Sequence, residues 1–257
     1  MYFLLSHFSA AILCLFFVTL SIAVAFAGFF LLKRLVNYET FKANHEVTGL
    51  IFAATSLIYS LVLAFVIVAV WNDYEDLNTI IEKETDKLSD IIVHGEELPD
   101  SIAALIRTSI SEYAQLVIKN EWQTEGEKRN SNAYLQRLRL SLFKFHPAKD
   151  SEQKILDVID DDLSAVSDLR RERLSHNHSH VPGLVWMILI AGTIITTLCS
   201  YLFFVEPKRL HYLFIALLNC MITMSLFLVY MLDHPFDGST AVSSQPFREL
   251  ASSAAPD

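Results

Sequence analysis

The stretch LIFAATSLIYSLVLAFVIVAVW, Leu50 to Trp71, runs without a break into NDYEDLNTIIEKETDKLSDII, Asn72 to Ile92. Its first part holds 22 residues and no charge, and about 20 such residues cross a bilayer as a helix. No Gly or Pro occurs from Ile51 to His94, so nothing stops the helix where the polar residues begin. In the second part Val70, Tyr74, Leu77, Ile81, Glu84, Leu88 and Ile91 recur at steps of four and three. This spacing predicts one long helix that leaves the membrane as an amphipathic rod with a heptad seam. One carboxylate, Glu84, sits in that seam. There it needs a partner or titrates upward, unless the seam's edge lets it reach water.

Composition places the rest of the chain in the same class. Of the 257 residues 53% are hydrophobic, and mean hydropathy is positive. The apolar residues are gathered in blocks, the mark of a membrane protein. Net charge is −9. Between Asn72 and His180 there are 22 acidic against 14 basic side chains, so that segment alone carries −8. Phosphate binding wants a basic surface, which disfavours a nucleic-acid partner. The three cysteines, Cys14, Cys199 and Cys220, all lie in apolar blocks. They read as small buried hydrophobes with neither disulfide nor metal-ligand spacing.

In chain order, the sequence predicts an uncleaved span over about 8–32, ending at Lys33-Arg34, because a signal peptide would carry a basic start. The second span is 50–71. Leu98-Pro99-Asp100-Ser101 starts a helix whose apolar face is Ile102, Leu105, Ile106, Ile110, Tyr113 and Val117. Tyr134, Leu135, Leu138, Leu142 and Phe145 mark the next, stopped by His146-Pro147. Asp150-Ser151 caps another, with Ile155, Ile159, Leu163, Val166 and Leu169 at helical spacing. Spans follow at about 184–205 and 210–232, then a Ser/Ala-rich tail expected to be loose. The expected architecture is an all-α membrane protein. Four transmembrane helices form two hairpins (1–71 and 181–238) flanking a helical extramembrane domain (72–180), with a loose tail at 239–257.

The order of segments and several motifs resemble the bacterial bestrophin-like domain family of multi-pass membrane proteins. The matching residues are Asn44-His45-Glu46-Val47-Thr48-Gly49, then Tyr59, Leu63, Ala64, Phe65, Val70-Trp71 and Tyr74. Glu84 stands where the family has a Glu in its juxtamembrane helix. Leu98-Pro99, Tyr113 and Glu121-Trp122 are similar to its middle motifs, and Leu232-Asp233-His234-Pro235-Phe236-Asp237-Gly238 with Gln245-Pro246-Phe247 to its closing signature. The resemblance covers nearly the whole chain and implies kinship with bestrophins, oligomeric anion channels with a cytosolic helical domain.

Sidedness is read two ways. Lys33, Arg34 and Lys42 lie in one short loop and Lys208 and Arg209 in the other. The positive-inside rule puts such loops in the cytoplasm and the polar domain outside a bacterial inner membrane. The bestrophin resemblance implies a cytoplasmic domain instead, and Arg170, Arg171 and Arg173 flanking the third span support it.

Candidate site residues fall in four groups. Ser56, Tyr59, Ser60, Leu63 and Ile67 on the second span are pore-lining candidates, though such hydroxyls also bond to backbone or neighbouring helices. Asp73, Glu75 and Asp76 at its exit would ring a pore mouth in symmetric copies and concentrate cations. Otherwise they are a solvated helix face. Asp233, His234 and Asp237 form a possible cation site or a helix cap. His176, His178 and His180 alternate in a linker and could bind a transition metal or act as a pH switch at the membrane surface; no carboxylate or Cys completes a ligand set nearby, so a solvated linker with no metal or cofactor is the expectation.

No catalytic constellation emerges, and the four spans carry no buried charge of the kind that marks pumps. The chain is expected to be not an enzyme but an oligomeric ion channel or pore, its ion unspecified. Its partners would be the bilayer, further copies of itself and small inorganic ions. The competing expectation is a non-conducting membrane scaffold or sensor whose helical domain binds a partner.

Overall fold

The computed structural model describes residues 9–35, 45–122, 132–176, 181–202, 208–236 and 241–254. These form eight α-helices: α1 (Ala10–Leu35), α2 (His45–Gly95), α3 (Asp100–Leu116), α4 (Asn132–Phe143), α5 (Asp150–His176), α6 (Gly183–Tyr201), α7 (Lys208–Leu232) and α8 (Gln245–Ser253). A π-helical turn, Val117–Glu121, continues α3. No strand occurs among the described residues. As the missing Gly and Pro require, α2 passes unbroken from its apolar into its acidic half over 51 residues. Four helices are long and apolar enough to cross a membrane: Ala10–Arg34, Val47–Gly95, Gly183–Tyr201 and Lys208–Leu232. The third expected span is seen to end at Tyr201, and residues 203–207 lie outside the described ones.

The chain divides into two compact units. The first comprises Met1–Tyr74 and His180–Thr240. Its core is built from Tyr59, Leu63 and Val70 of α2 with Leu189 of α6 and Ile222 and Val229 of α7. On α1, Ala25 and Phe29 meet Tyr201 and Ile215, and Leu13 meets Met231. Lipid tails are as apolar as these side chains, so close packing and interhelical hydrogen bonds must hold the helices together. Both are present. A Cβ on Gly192 would lie 2.3 Å from Tyr59 Cδ2, so this glycine lets the tyrosine ring rest on the α6 backbone. Tyr59 Oη and Thr193 Oγ1 are 2.8 Å apart. Tyr201 donates to the Ala25 carbonyl (2.6 Å), Thr223 to Ser21 (2.8 Å), and Thr197 to Asn219 (3.1 Å).

The second unit comprises Glu75–Ser179 and Ala241–Asp257. Leu77, Ile81, Glu84, Leu88 and Ile91 are all buried, so the heptad seam of α2 is real. Ile106, Ile110 and Tyr113 of α3, Leu135 and Leu138 of α4, and Ile159, Leu163 and Val166 of α5 are buried as well. Burying each large aliphatic side chain is worth about 1.5–3 kcal/mol. The N-terminus of α5 differs in detail from expectation. Asp150 lies in its first turn, and Glu152 reaches back to accept from the Ala148 N–H at 2.8 Å.

The loose tail is corrected. Residues 245–253 form α8, which packs on α3. Phe247, Leu250 and Ala254 are buried, and the Ser111 hydroxyl donates to the Ala251 carbonyl at 3.2 Å. The reason is a pattern that the Ser/Ala composition conceals. Phe247, Leu250, Ala251 and Ala254 recur at i, i+3, i+4 and i+7, an apolar stripe on a helix that Pro246 opens in its first turn.

Candidate functional site

Glu84 is where the helical unit departs most from an ordinary apolar core. Its side chain is fully buried, and it does not reach water at the seam's edge. Arg173 Nε, on α5, donates to Glu84 Oε2 at 2.7 Å, and Nη2 donates to Oε1 at 3.2 Å. Tyr113 Oη, on α3, donates to Oε1 at 2.6 Å. The partner that the seam demanded is therefore a forked guanidinium, the geometry that suits a carboxylate best.

The network continues through the π-turn. Arg173 Nη2 also donates to Glu121 Oε2 at 2.8 Å, and Arg170 Nη2 to Glu121 Oε1 at 2.7 Å. One turn of π-helix inserts an extra residue and shifts the side chains beyond it, a feature frequent at functional sites. Here the shifted residues are Glu121 and Trp122. The Arg173 guanidinium carbon lies 5.7 Å from the Trp122 ring centroid and 5.4 Å from that of Phe247, within cation–π range. Trp122 Nε1 donates to the Val242 carbonyl at 2.8 Å. Two carboxylates thus balance two guanidiniums under an aromatic cover supplied partly by α8.

The electrostatics follow from burial and charge. Burial pulls the Arg173 guanidinium down, but Glu84, Tyr113 and Glu121 outweigh it and hold the group above its ordinary value. Burial pushes the Tyr113 phenol well above its ordinary value of 10.0, and the neighbouring Glu84 charge pushes it further. Arg173 therefore stays cationic and Tyr113 stays a neutral donor at any physiological pH. Arg173 Nη1 is buried without a hydrogen-bond partner. A neutral, locked network of this kind fixes three helices and a C-terminal segment in one arrangement.

Sequence reasoning singled out Glu84 but not Arg173, which it counted only as a flanking charge. Tyr113 reads in the sequence as part of an apolar helix face, and Glu121 and Trp122 only as motif residues, so none of the three has a polar role there. The spacing on α5 held a signal. Arg173 follows Ile159, Leu163, Val166 and Leu169 at the next four-residue step, so it continues the apolar face.

The pore-lining candidates do not share one environment. Tyr59 and Leu63 are buried against α6 and α7 of the same chain, and Ile67 packs beside them. The Ser56 hydroxyl is buried. Only Ser60 is exposed, its hydroxyl returning to the Leu57 carbonyl at 2.9 Å. The reason is helical geometry: positions 56, 59, 63 and 67 fall on one stripe, which the chain's own helices cover. Asp73, Glu75 and Asp76 are exposed.

Asp233 is nearly buried and accepts from the Val181 N–H at 2.6 Å, just ahead of α6. His234 stacks on Tyr230 with ring centroids 4.4 Å apart, its Nδ1 3.1 Å from the Tyr230 carbonyl. Asp237 lies outside the described residues, as do His178 and His180, while His176 ends α5. Among the described residues, no three His, Cys, Asp or Glu side chains are grouped to hold a metal ion.

The fold is similar to crystal structures of a bacterial Bestrophin homologue from Klebsiella pneumoniae. One has a TM-score of 0.69 and 12% identity over 93% of this chain and 95% of that one. Two point variants of the same protein each give 0.73 and 11%, over 93% and 96% of the two chains in one case and 94% and 97% in the other. No curated protein matches the sequence. The Bestrophin-like domain matches residues 19–247, nearly the whole length, and the chain belongs to that family.

Proposed function

We propose that the chain is one subunit of an oligomeric membrane ion channel or pore of bestrophin type, set in a bacterial inner membrane. In this reading α1 and the apolar half of α2 form one hairpin, α6 and α7 form another, and residues 72–180 with the tail are extramembrane. The observation that carries it is the uncovered face of α2. Leu57, Leu61, Phe65 and Val68 are 56–70% exposed. This stripe, flanked by Ser60, leads to the exposed Asp73 and Asp76. Four spans without charge make a poor solitary pore, but copies that turn this face to a common axis enclose one. Ser60 then lines the path, and Ser56, Tyr59, Leu63 and Ile67 form the layer behind it. Asp73, Glu75 and Asp76 ring the mouth and favour cations there.

Ion flux in liposomes, for wild type and Asp73→Asn, tests this. The wild type should conduct, and the substitution should lower the preference for monovalent cations over chloride. Absence of flux for both ions removes the channel and leaves the scaffold. That second reading draws support from a cleft of about 290 Å³ in the helical unit, where Phe143 is 69% exposed beside Leu142, Leu156 and Asp161. Accessibility of Lys128→Cys to an impermeant thiol reagent fixes the side. Labelling from outside is the outcome that the loop charges favour, and protection is the outcome that the bestrophin kinship favours.

A further inference from the structure

The cleft of about 290 Å³ in the helical unit lies between α4, the turn after it and α5. Neither helix is among the four fit to cross a membrane, so the medium at its mouth is water. The volume falls at the lower end of the range for small-molecule sites. Leu142, Phe143, Phe145 and Leu156 supply apolar walls, and Asp157 and Asp161 supply charge. A solute can reach these groups, because Phe143 is largely exposed and both carboxylates are exposed as well. The turn is held in place. Phe145 donates its N–H to the Leu142 carbonyl at 3.0 Å, and the Ala148 N–H is tied to Glu152.

The charges choose the occupant. A third carboxylate in the wall, Asp160, is neutralised by Arg139, so that guanidinium is not free to hold an anion. Asp157 accepts only from the neutral Gln153 amide, at 2.8 Å, and Asp161 has no hydrogen-bond or ion-pair partner among the described residues. The two stand one turn apart on α5, where like charges repel. The nearby Lys154 pairs with Asp150 at 3.4 Å instead. The cleft thus sets two carboxylates without a cation beside an open aromatic ring. A neutral apolar guest would strip water from both and replace none of it. A metal ion would lack ligands, since no three His, Cys, Asp or Glu side chains are grouped to hold one among the described residues. A primary ammonium wants acceptors for three N–H groups, and most of this wall is apolar. An ammonium sheathed in methyl groups wants none. It is drawn to the carboxylates and rests against an aromatic face, as quaternary ammonium ligands do.

We propose that this cleft binds a small, water-borne methylated ammonium compound, with its cationic head beside Phe143, Asp157 and Asp161 and its apolar remainder against Leu142 and Leu156. Binding here requires neither conduction nor a protein partner.

The test titrates the full chain, in the uncharged detergent dodecyl maltoside, with choline and reads binding by saturation-transfer NMR on the choline methyl signal. Two further probes separate the contributions. The alcohol 3,3-dimethylbutanol has the shape of choline without its charge, and ethanolamine has the charge without the methyl groups. Choline should bind saturably and about fivefold more tightly than either. Asp157→Asn combined with Asp161→Asn should weaken choline by about fivefold, and Phe143→Leu by about threefold. Neither variant should lower the melting temperature, because all three side chains are exposed. Absence of saturable choline binding overturns the proposal. So does equal binding of 3,3-dimethylbutanol or ethanolamine, or a choline affinity that both variants leave unchanged.

Discussion

Arg173 and Glu84 stand 89 residues apart in the chain and share two hydrogen bonds, at 2.7 and 3.2 Å, with both side chains fully buried. A buried pair adds little net stability over a well-packed apolar pair, but removing one partner leaves an uncompensated charge. The two halves here are unequal. Losing Glu84 leaves Arg173 with Glu121, whereas losing Arg173 strips Glu84 and deprives Glu121 of one of its two guanidiniums. Arg173→Met should therefore destabilise the helical unit by about 3–5 kcal/mol, and Glu84→Leu by less. The double substitution should recover part of the loss. Denaturant melts of the four proteins check this, and additive losses would show that the pair is uncoupled.

Tyr113 gives the network its pH dependence. Its phenol is held well above 10.0 by burial and by Glu84. A folded-state pKa above the unfolded value means that the unfolded chain loses this proton first as pH rises. The contribution is thus fully present below about pH 10 and is lost above it. Tyr113→Phe should cost about 1.5–3 kcal/mol near neutrality, the worth of a hydrogen bond to a charged group. It should also flatten the fall in stability above pH 10. A steep alkaline fall that persists in Tyr113→Phe would assign it to another group.

Much of this was legible beforehand, for definite reasons. The unbroken α2, its seam and the four apolar segments follow from composition and periodicity, which are local properties of the chain. Glu84 was legible as an anomaly because a carboxylate broke an apolar period. Its partner was not, because Arg173 reaches it through the packing of α5 on α2, and no local rule connects residues 89 apart. The π-turn was also hidden, since nothing in VIKNE distinguishes five-residue from four-residue bonding. For Tyr59 the sequence offered both a pore-lining and a helix-bonding reading, and its burial with Leu63 against α6 and α7 was not decided in advance because a span's sequence does not say which of its faces neighbours will cover.

The helix α8 should be integral to the helical unit. Phe247 is fully buried, lies 5.4 Å from the Arg173 guanidinium and meets Trp122 edge-on with centroids 5.6 Å apart. Phe247→Ala should cost about 3–5 kcal/mol. Emission from Trp122 should move to the red as water reaches its ring, read in a variant whose other two tryptophans, Trp71 and Trp186, are replaced by Phe. An unchanged spectrum with unchanged stability would show that α8 does not hold this cover in place.

Gly192 sets the spacing between α2 and α6 through Tyr59, so its substitution tests the packing of the first unit directly. A Cβ there would meet Tyr59 Cδ2 at 2.3 Å and Cε2 at 2.6 Å, far inside contact distance. The ring cannot turn away cheaply, because its hydroxyl is bonded to Thr193 at 2.8 Å on the same helix. Gly192→Ala should therefore destabilise by about 1–3 kcal/mol, the usual cost of overpacking. Adding Tyr59→Leu, which removes the ring, should relieve most of that loss. Thermal unfolding in one detergent measures both. If Gly192→Ala alone matches the wild type, Tyr59 is not seated on the α6 backbone.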